Sequence, residues 1–144
     1  MSREGKTFIE ADEMWTFVGS KKNDTWIWLA VERRTGLIVG CHVGKRDDAG
    51  AAALWDSLSE DCKKNGIFFT DGLASYAKVF PADRHRVVGK GSGKTSHIER
   101  LNLTFRQRLS ELVRKTLSFS RSAKNLTASV WRFINNYNEN ILFH

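Results

Sequence analysis

The first third of the chain is patterned for strands. Met14 to Val18 is a short apolar-aromatic run with Asp12 just before it, and Thr25 to Glu32 (TWIWLAVE) alternates and is rich in Trp, Ile and Val. Leu37 to Val43 (LIVGCHV) reads as a third strand, reached through a tight turn at Arg33-Arg34-Thr35-Gly36. Connections this short predict an antiparallel meander. The period then changes: Ala51, Leu54, Leu58 and Cys62 follow one another at spacings of three and four. That is one face of a helix, capped by Asp47 or Asp48, running to about Lys64 and stopped by Asn65-Gly66. Ile67 to Thr70 (IFFT) is a short apolar strand of the kind buried on both faces. A short helix over Leu73 to Val79 and a fifth strand at residues 85–88 come next. Past a Gly/Ser/Lys loop at 89–95, Ile98, Leu101, Phe105, Leu109 and Leu112 mark the buried stripe of a long helix. Leu126, Val130, Phe133, Ile134 and Tyr137 mark a last one.

The element order is therefore β-β-β-α-β-α-β-α-α. It predicts an α/β protein with a ribonuclease H-like fold. The sheet would be mixed and five-stranded, three antiparallel strands followed by parallel ones entered through helices. A length of 144 residues suits one domain with a single core, so residues 1–144 are read as one unit.

Composition narrows the class. Hydrophobic residues are 41% and charged residues 27%, as in folded soluble domains. No apolar run approaches the ~20 residues that span a bilayer. The first residues, Met-Ser-Arg-Glu-Gly-Lys, lack the apolar stretch of a signal peptide, so a cytoplasmic location without membrane attachment is expected. Cys41 and Cys62 stand alone, with no zinc-ligand spacing around them, and read as buried thiols. Charge adds more. Residues 84–132 carry twelve Lys and Arg against two acids, Glu99 and Glu111, a net +10. The remaining residues hold eleven bases and fourteen acids, a net −3. Such asymmetry points to a polyanionic partner, nucleic acid first, with a solvated basic face as the plainer alternative.

Three acids stand where this fold can gather them. In the predicted sheet the first strand is central and the fourth lies parallel beside it. Asp12 falls at the start of the first strand, and Asp71 directly follows the fourth, in Phe69-Thr70-Asp71-Gly72, where glycine permits a sharp turn. Glu99 lies in the first turn of the long helix, on a polar stripe with Asn102 and Arg106. Three clustered carboxylates repel and need cations, and oxygen donors suit Mg²⁺ or Mn²⁺. Two such ions about 4 Å apart serve phosphodiester displacement. Each acid also has a plainer role: a strand-edge residue for Asp12, a turn signal for Asp71-Gly72 and, for Glu99, a capping box in Ser96-His97-Ile98-Glu99. Glu13, next to Asp12, is expected on the opposite face of its strand and outside the metal site.

Glu10-Ala11-Asp12-Glu13-Met14-Trp15, Val18-Gly19-Ser20-Lys21-Lys22 and Trp26-Ile27-Trp28 resemble the start of the catalytic domain of insertion-sequence-one transposases of the InsB type. So do Thr70-Asp71-Gly72 with Tyr76 following, and His97-Ile98-Glu99-Arg100-Leu101-Asn102-Leu103 continuing to Arg114-Lys115-Thr116-Leu117-Ser118-Phe119-Ser120-Arg121-Ser122. The resemblance covers about residues 8–138. It implies a DDE transposase that moves a bacterial insertion element by metal-dependent DNA cleavage and strand transfer, with Asp12, Asp71 and Glu99 as the triad. It further implies DNA contacts or site support from Arg100, Asn102 and Arg106. DNA contacts or site support are also expected of His97, two residues before Glu99, and of Lys90, Lys94, Arg114, Lys115 and Arg121 in the basic segment. Its partners would be the element ends and target DNA, held by a homodimer or larger synaptic assembly. Family transposases also carry an N-terminal zinc-binding and helix-turn-helix region, which nothing in this sequence matches. A catalytically inactive or truncated DNA-binding relative acting as a regulator is the alternative.

Gly89-Lys90-Gly91-Ser92-Gly93-Lys94-Thr95 imitates a phosphate-binding P-loop but is one residue short of the required spacing, so no nucleotide is expected. His42, His85 and His97 match no zinc spacing.

Overall fold

The computed structural model describes residues 6–18, 20–88, 98, 100, 107 and 123–143. Three antiparallel strands open the fold: β1 (Thr7–Val18), β2 (Ser20–Glu32) and β3 (Ile38–Gly44). The turn between β2 and β3 closes through Gly36, whose φ is 77°. Helices α1 (Asp48–Ser57) and α2 (Glu60–Asn65) lead into β4 (Gly66–Thr70). Helix α3 (Ala74–Val79) and a 3-10 turn (Ala82–Arg84) lead into β5 (His85–Val87). The long helix α4 (Ala123–Phe143) follows, and Ile98, Arg100 and Gln107 are helical as well. The strands form one sheet in the order β3-β2-β1-β4-β5, with β1 central, β1–β2–β3 antiparallel and β4 and β5 parallel. This is the ribonuclease H-like arrangement that the element order predicts.

Period-two alternation divides the core between the two faces of the sheet. Met14, Ile27, Leu29, Val31, Ile38 and Cys41 face one way and pack with Ile98 and with Val130 and Ile134 of α4. Ile38 and Cys41, three residues apart, share that face because the β2–β3 register shifts between Ala30 and Val31. Ile9, Ala11, Trp28, Ala30 and Phe68 face the other and pack under Ala51, Leu54, Leu58, Cys62, Tyr76 and Phe80. The edge strand β3 is tied to α4 by Asn138. Its Oδ1 accepts from the Ile38 N–H and its Nδ2 donates to the Ile38 carbonyl, both at 2.9 Å. Among the described residues no helix is long and apolar enough to cross a membrane.

Four sequence expectations shift. Strand β1 begins at Thr7, so Asp12 sits in mid-strand rather than at its start. Strand β2 likewise begins at Ser20, before the apolar run that marks it in the sequence. The helix expected to run to Lys64 is two helices. Asp47 caps the first, accepting from the Gly50 N–H at 2.9 Å, and Ser59 caps the second, accepting from the Cys62 N–H at 3.2 Å. Between them Ser57 donates to the Leu54 carbonyl at 2.6 Å and accepts from the Cys41 N–H at 3.0 Å, so it serves β3 at the point where α1 ends. Finally, β4 is fully buried only through Gly66, Phe68 and Thr70, while Ile67 and Phe69 are half-buried. The stripe positions Leu101, Phe105, Leu109 and Leu112, and the loop at 89–95, lie outside the described residues.

Candidate metal centre

Parallel pairing of β1 with β4 sets the site. Their register runs from Thr7 opposite Gly66 to Glu10 opposite Phe69. Two residues further along, Asp12 lies across from Asp71, just past the end of β4. Alternation directs the Asp12 side chain to the face that carries Met14. Asp12, Glu13 and Asp71 each offer a carboxylate oxygen, and these atoms all lie within 4.8 Å of one another. Asp12 is only 8% exposed, and Asp71 is half-buried. The donor set is carboxylate oxygen alone, which is what hard divalent ions take, so these residues fit Mg²⁺ or Mn²⁺.

Each acid of the facing pair is held by its own surroundings. The backbone N–H of Glu13 donates to Asp12 Oδ1 at 2.8 Å. Asp71 stands between two fixed residues. Thr70 Oγ1 bonds His85 Nε2 at 2.7 Å and accepts from the Gly72 N–H at 3.3 Å, while the Thr70 carbonyl accepts from the Val88 N–H at 2.8 Å. Gly72 then turns the chain with φ at 99°, a conformation that side-chain-bearing residues rarely adopt. Burial, followed by the Arg86 charge, pushes the His85 imidazole below its ordinary pKa. A neutral ring can accept a hydrogen bond from the Thr70 hydroxyl through an unprotonated Nε2.

Glu13 points as the sequence reading has it, but its carboxylate lies closer to the pair than that reading implies. Its partners do lie on the opposite side of the sheet, as alternation requires. Tyr76 Oη donates to Glu13 Oε1 at 2.8 Å, and Arg46 reaches Oε2 through Nε and Nη2, both at 2.9 Å. Yet its carboxylate still comes within 4.8 Å of the other two, because the three acids meet at the end of β4. Tyr76 is wholly buried, packed edge-on to Trp28 at 5.5 Å and stacked on Phe80 at 5.4 Å. Burial above all, then the Glu13 charge and hydrogen bond, then the charges of Asp12 and Asp71, hold its phenol well above the ordinary tyrosine pKa. That direction matches the geometry, in which the Tyr76 hydroxyl donates to Glu13. The Arg46 guanidinium lies 4.8 Å from the centre of the Trp26 ring.

A second buried acid lies two residues before Asp12. Glu10 is wholly buried; its Oε2 accepts from Arg33 Nε at 3.1 Å and its Oε1 from the Ile98 N–H at 3.3 Å. Arg33 in turn lies over the Phe69 ring at 4.1 Å. Glu10 thus docks Ile98, the residue preceding Glu99 in the chain, onto β1. Glu99 itself lies outside the described residues, as do His97, Asn102, Arg106, Lys90, Lys94, Arg114, Lys115 and Arg121. Arg100 is described and exposed. Sequence reasoning assigned no role to Glu10 or Arg46. It noted Tyr76 only as following Asp71, and that fixed interval was the one available signal.

Comparison with known proteins identifies the family. A sequence profile described as IS1 transposase matches residues 7–139. The chain is 38% identical over 115 residues to the insertion element iso-IS1n protein InsB of Shigella dysenteriae, a match covering 80% of this chain and 84% of that one. It is 34% identical over 126 residues to the insertion element IS1 2 protein InsB of Escherichia coli K12, covering 88% and 72% respectively. A similar match, 33% identical, covers 88% of this chain and 92% of the insertion element IS1 protein InsB of Shigella flexneri.

Proposed function

Because the chain belongs to the IS1 transposase family, we propose that it is a DDE transposase, cleaving DNA and transferring strands with Asp12, Asp71 and Glu99 as its metal-binding acids. One observation carries the reading: Asp12 and Asp71, 59 positions apart in the chain, present carboxylate oxygens within 4.8 Å of each other. Docking of Ile98 on Glu10 supports Glu99 as the third acid, since it brings the neighbouring residue to the strand that carries Asp12.

In this mechanism Asp12, with Oδ1 fixed by the Glu13 N–H, and Asp71, held between Thr70 and Gly72, present rigid oxygens on one side of the sheet. Asp12 and Asp71 would hold divalent ions there, whose charge would stabilise the attacking and leaving oxygens of phosphodiester displacement. The basic segment at 84–132 neutralises DNA phosphates and holds the duplex against the acids. Strand transfer joins ends brought from two places, so a homodimer or larger assembly on paired ends belongs to the proposal.

The test is nicking of supercoiled plasmid in Mg²⁺ or Mn²⁺. Wild-type protein is expected to nick, chelation to stop it, and Asp12→Asn and Asp71→Asn to abolish it while DNA binding persists. Nicking that survives in folded Asp12→Asn would end the proposal. Binding without nicking in the wild type would favour a regulatory relative.

A further inference from the structure

Glu13 stands apart from the acid pair by direction and beside it by distance. Three of its groups are committed. Its N–H orients Asp12 Oδ1, its Oε1 takes the Tyr76 hydroxyl, and its Oε2 takes Arg46. Tyr76 belongs to α3, which begins three residues after Asp71. The contact between Glu13 and Tyr76 therefore joins the residue following Asp12 to the element following Asp71. We propose that Glu13 and Tyr76 are positioning residues, a strut that sets the spacing between Asp12 and Asp71; this rests on reading that pair as the metal-binding acids.

The burial of the strut gives it stiffness. Tyr76 is wholly enclosed, its ring fixed between Trp28 and Phe80, so its hydroxyl has one direction in which to donate. Ser75 and Lys78 of the same helix bond Asp48 at the start of α1, at 2.7 and 2.8 Å, which anchors α3 independently of the acids. Arg46 offsets the Glu13 charge. The cluster therefore meets an incoming cation with the charge of its facing pair rather than of three bare carboxylates, and both Glu13 oxygens stay engaged away from ligation.

Tyr76→Phe removes one oxygen and keeps the ring. The expected result is a folded protein whose Mn²⁺ requirement for half-maximal nicking rises roughly tenfold, in line with loss of an outer-shell partner. kcat should fall with KM for DNA unchanged, and the Mn²⁺-induced rise in Tm, measured without DNA, should shrink. A purely structural tyrosine would lower Tm without moving the Mn²⁺ dependence. Wild-type Mn²⁺ dependence in Tyr76→Phe overturns the proposal. Tighter Mn²⁺ binding overturns it too, since that would mean a released Glu13 acts as a ligand. If Tyr76→Phe does not fold, Glu13→Gln asks the same question, because Tyr76 and Arg46 donate to different Glu13 oxygens and one of those positions becomes an NH₂ that cannot accept; an unchanged Mn²⁺ response there is equally fatal. Asp12→Asn separates the two readings. If it keeps nicking and its Mn²⁺ response, the metal-site reading fails; if it loses both while Tyr76→Phe loses neither, only the strut is rejected.

Discussion

Gly72 carries a φ of 99°, and a Cβ placed on it would stand 2.9 Å from Val87 Cγ1. Gly72→Ala therefore strains the backbone and crowds β5, at a cost of about 1–3 kcal/mol. The urea midpoint should fall and the Mn²⁺ requirement should rise, because the displaced residue adjoins Asp71. An unchanged midpoint would mean that the turn is not strained. Asp12 and Asp71 were legible in the sequence because both lie at recognisable strands, and the parallel neighbourhood of those strands follows from topology. The nearness of Glu13 was not legible. Alternation gives the direction of a side chain, while its distance from Asp71 depends on a turn beyond the strand end. Tyr76 and Arg46 reach it from elements that only the packed fold brings across. Burial also leaves a mark at Cys41, whose thiol is pushed from 9.0 to about 12. A raised folded pKa means stability is whole below pH 9 and drains as pH climbs toward 12. Between pH 8 and 10 the wild-type urea midpoint should drop more than that of Cys41→Ala, and parallel curves would show Cys41 to be more open than its burial implies.

Strand and helix boundaries moved wherever a polar residue plays a buried role. The sequence hid the first half of β1 because Glu10 interrupts its apolar pattern, yet Glu10 is wholly buried on Arg33 and Ile98. The split between α1 and α2 was hidden because Leu58 continues the helical spacing, while Ser57 and Ser59 redirect the backbone hydrogen bonds on either side. The stripe of α4 was plain, since Val130 and Ile134 pack into the core without any polar substitute. That helix also bonds a strand edge through Asn138, which meets both polar groups of Ile38. Asn138→Ala leaves that N–H and carbonyl without these partners, for about 1–3 kcal/mol. The midpoint should fall with the denaturant slope unchanged. Asn138→Asp, which keeps the acceptor and loses the donor, should fall between the two. Equal stability of all three proteins would place α4 elsewhere.

The molecule as a whole divides its charge in a way no single element reveals. Residues 84–132 are +10 and the rest −3, and Asp12 and Asp71 belong to the acidic part. Not all of the basic residues are available to a partner. Arg84 donates to the Gly66 carbonyl at 2.9 Å and so braces β4. DNA held by the remaining bases would lie against the Asp12 and Asp71 carboxylates, which would repel it until cations intervene. Two consequences follow for binding measured without metal. Asp12→Asn and Asp71→Asn should each tighten DNA binding modestly, because a repelling charge is gone. The logarithm of the wild-type binding constant should fall steeply with the logarithm of salt concentration. Each phosphate contact removed should lower that slope by about 0.9. Lys90→Ala combined with Lys94→Ala should therefore flatten it by up to about two, with affinity lost evenly across DNA sequences. A slope that stays where the wild type has it would show that these two lysines do not meet phosphates, leaving the attraction to Arg100 and the bases beyond it.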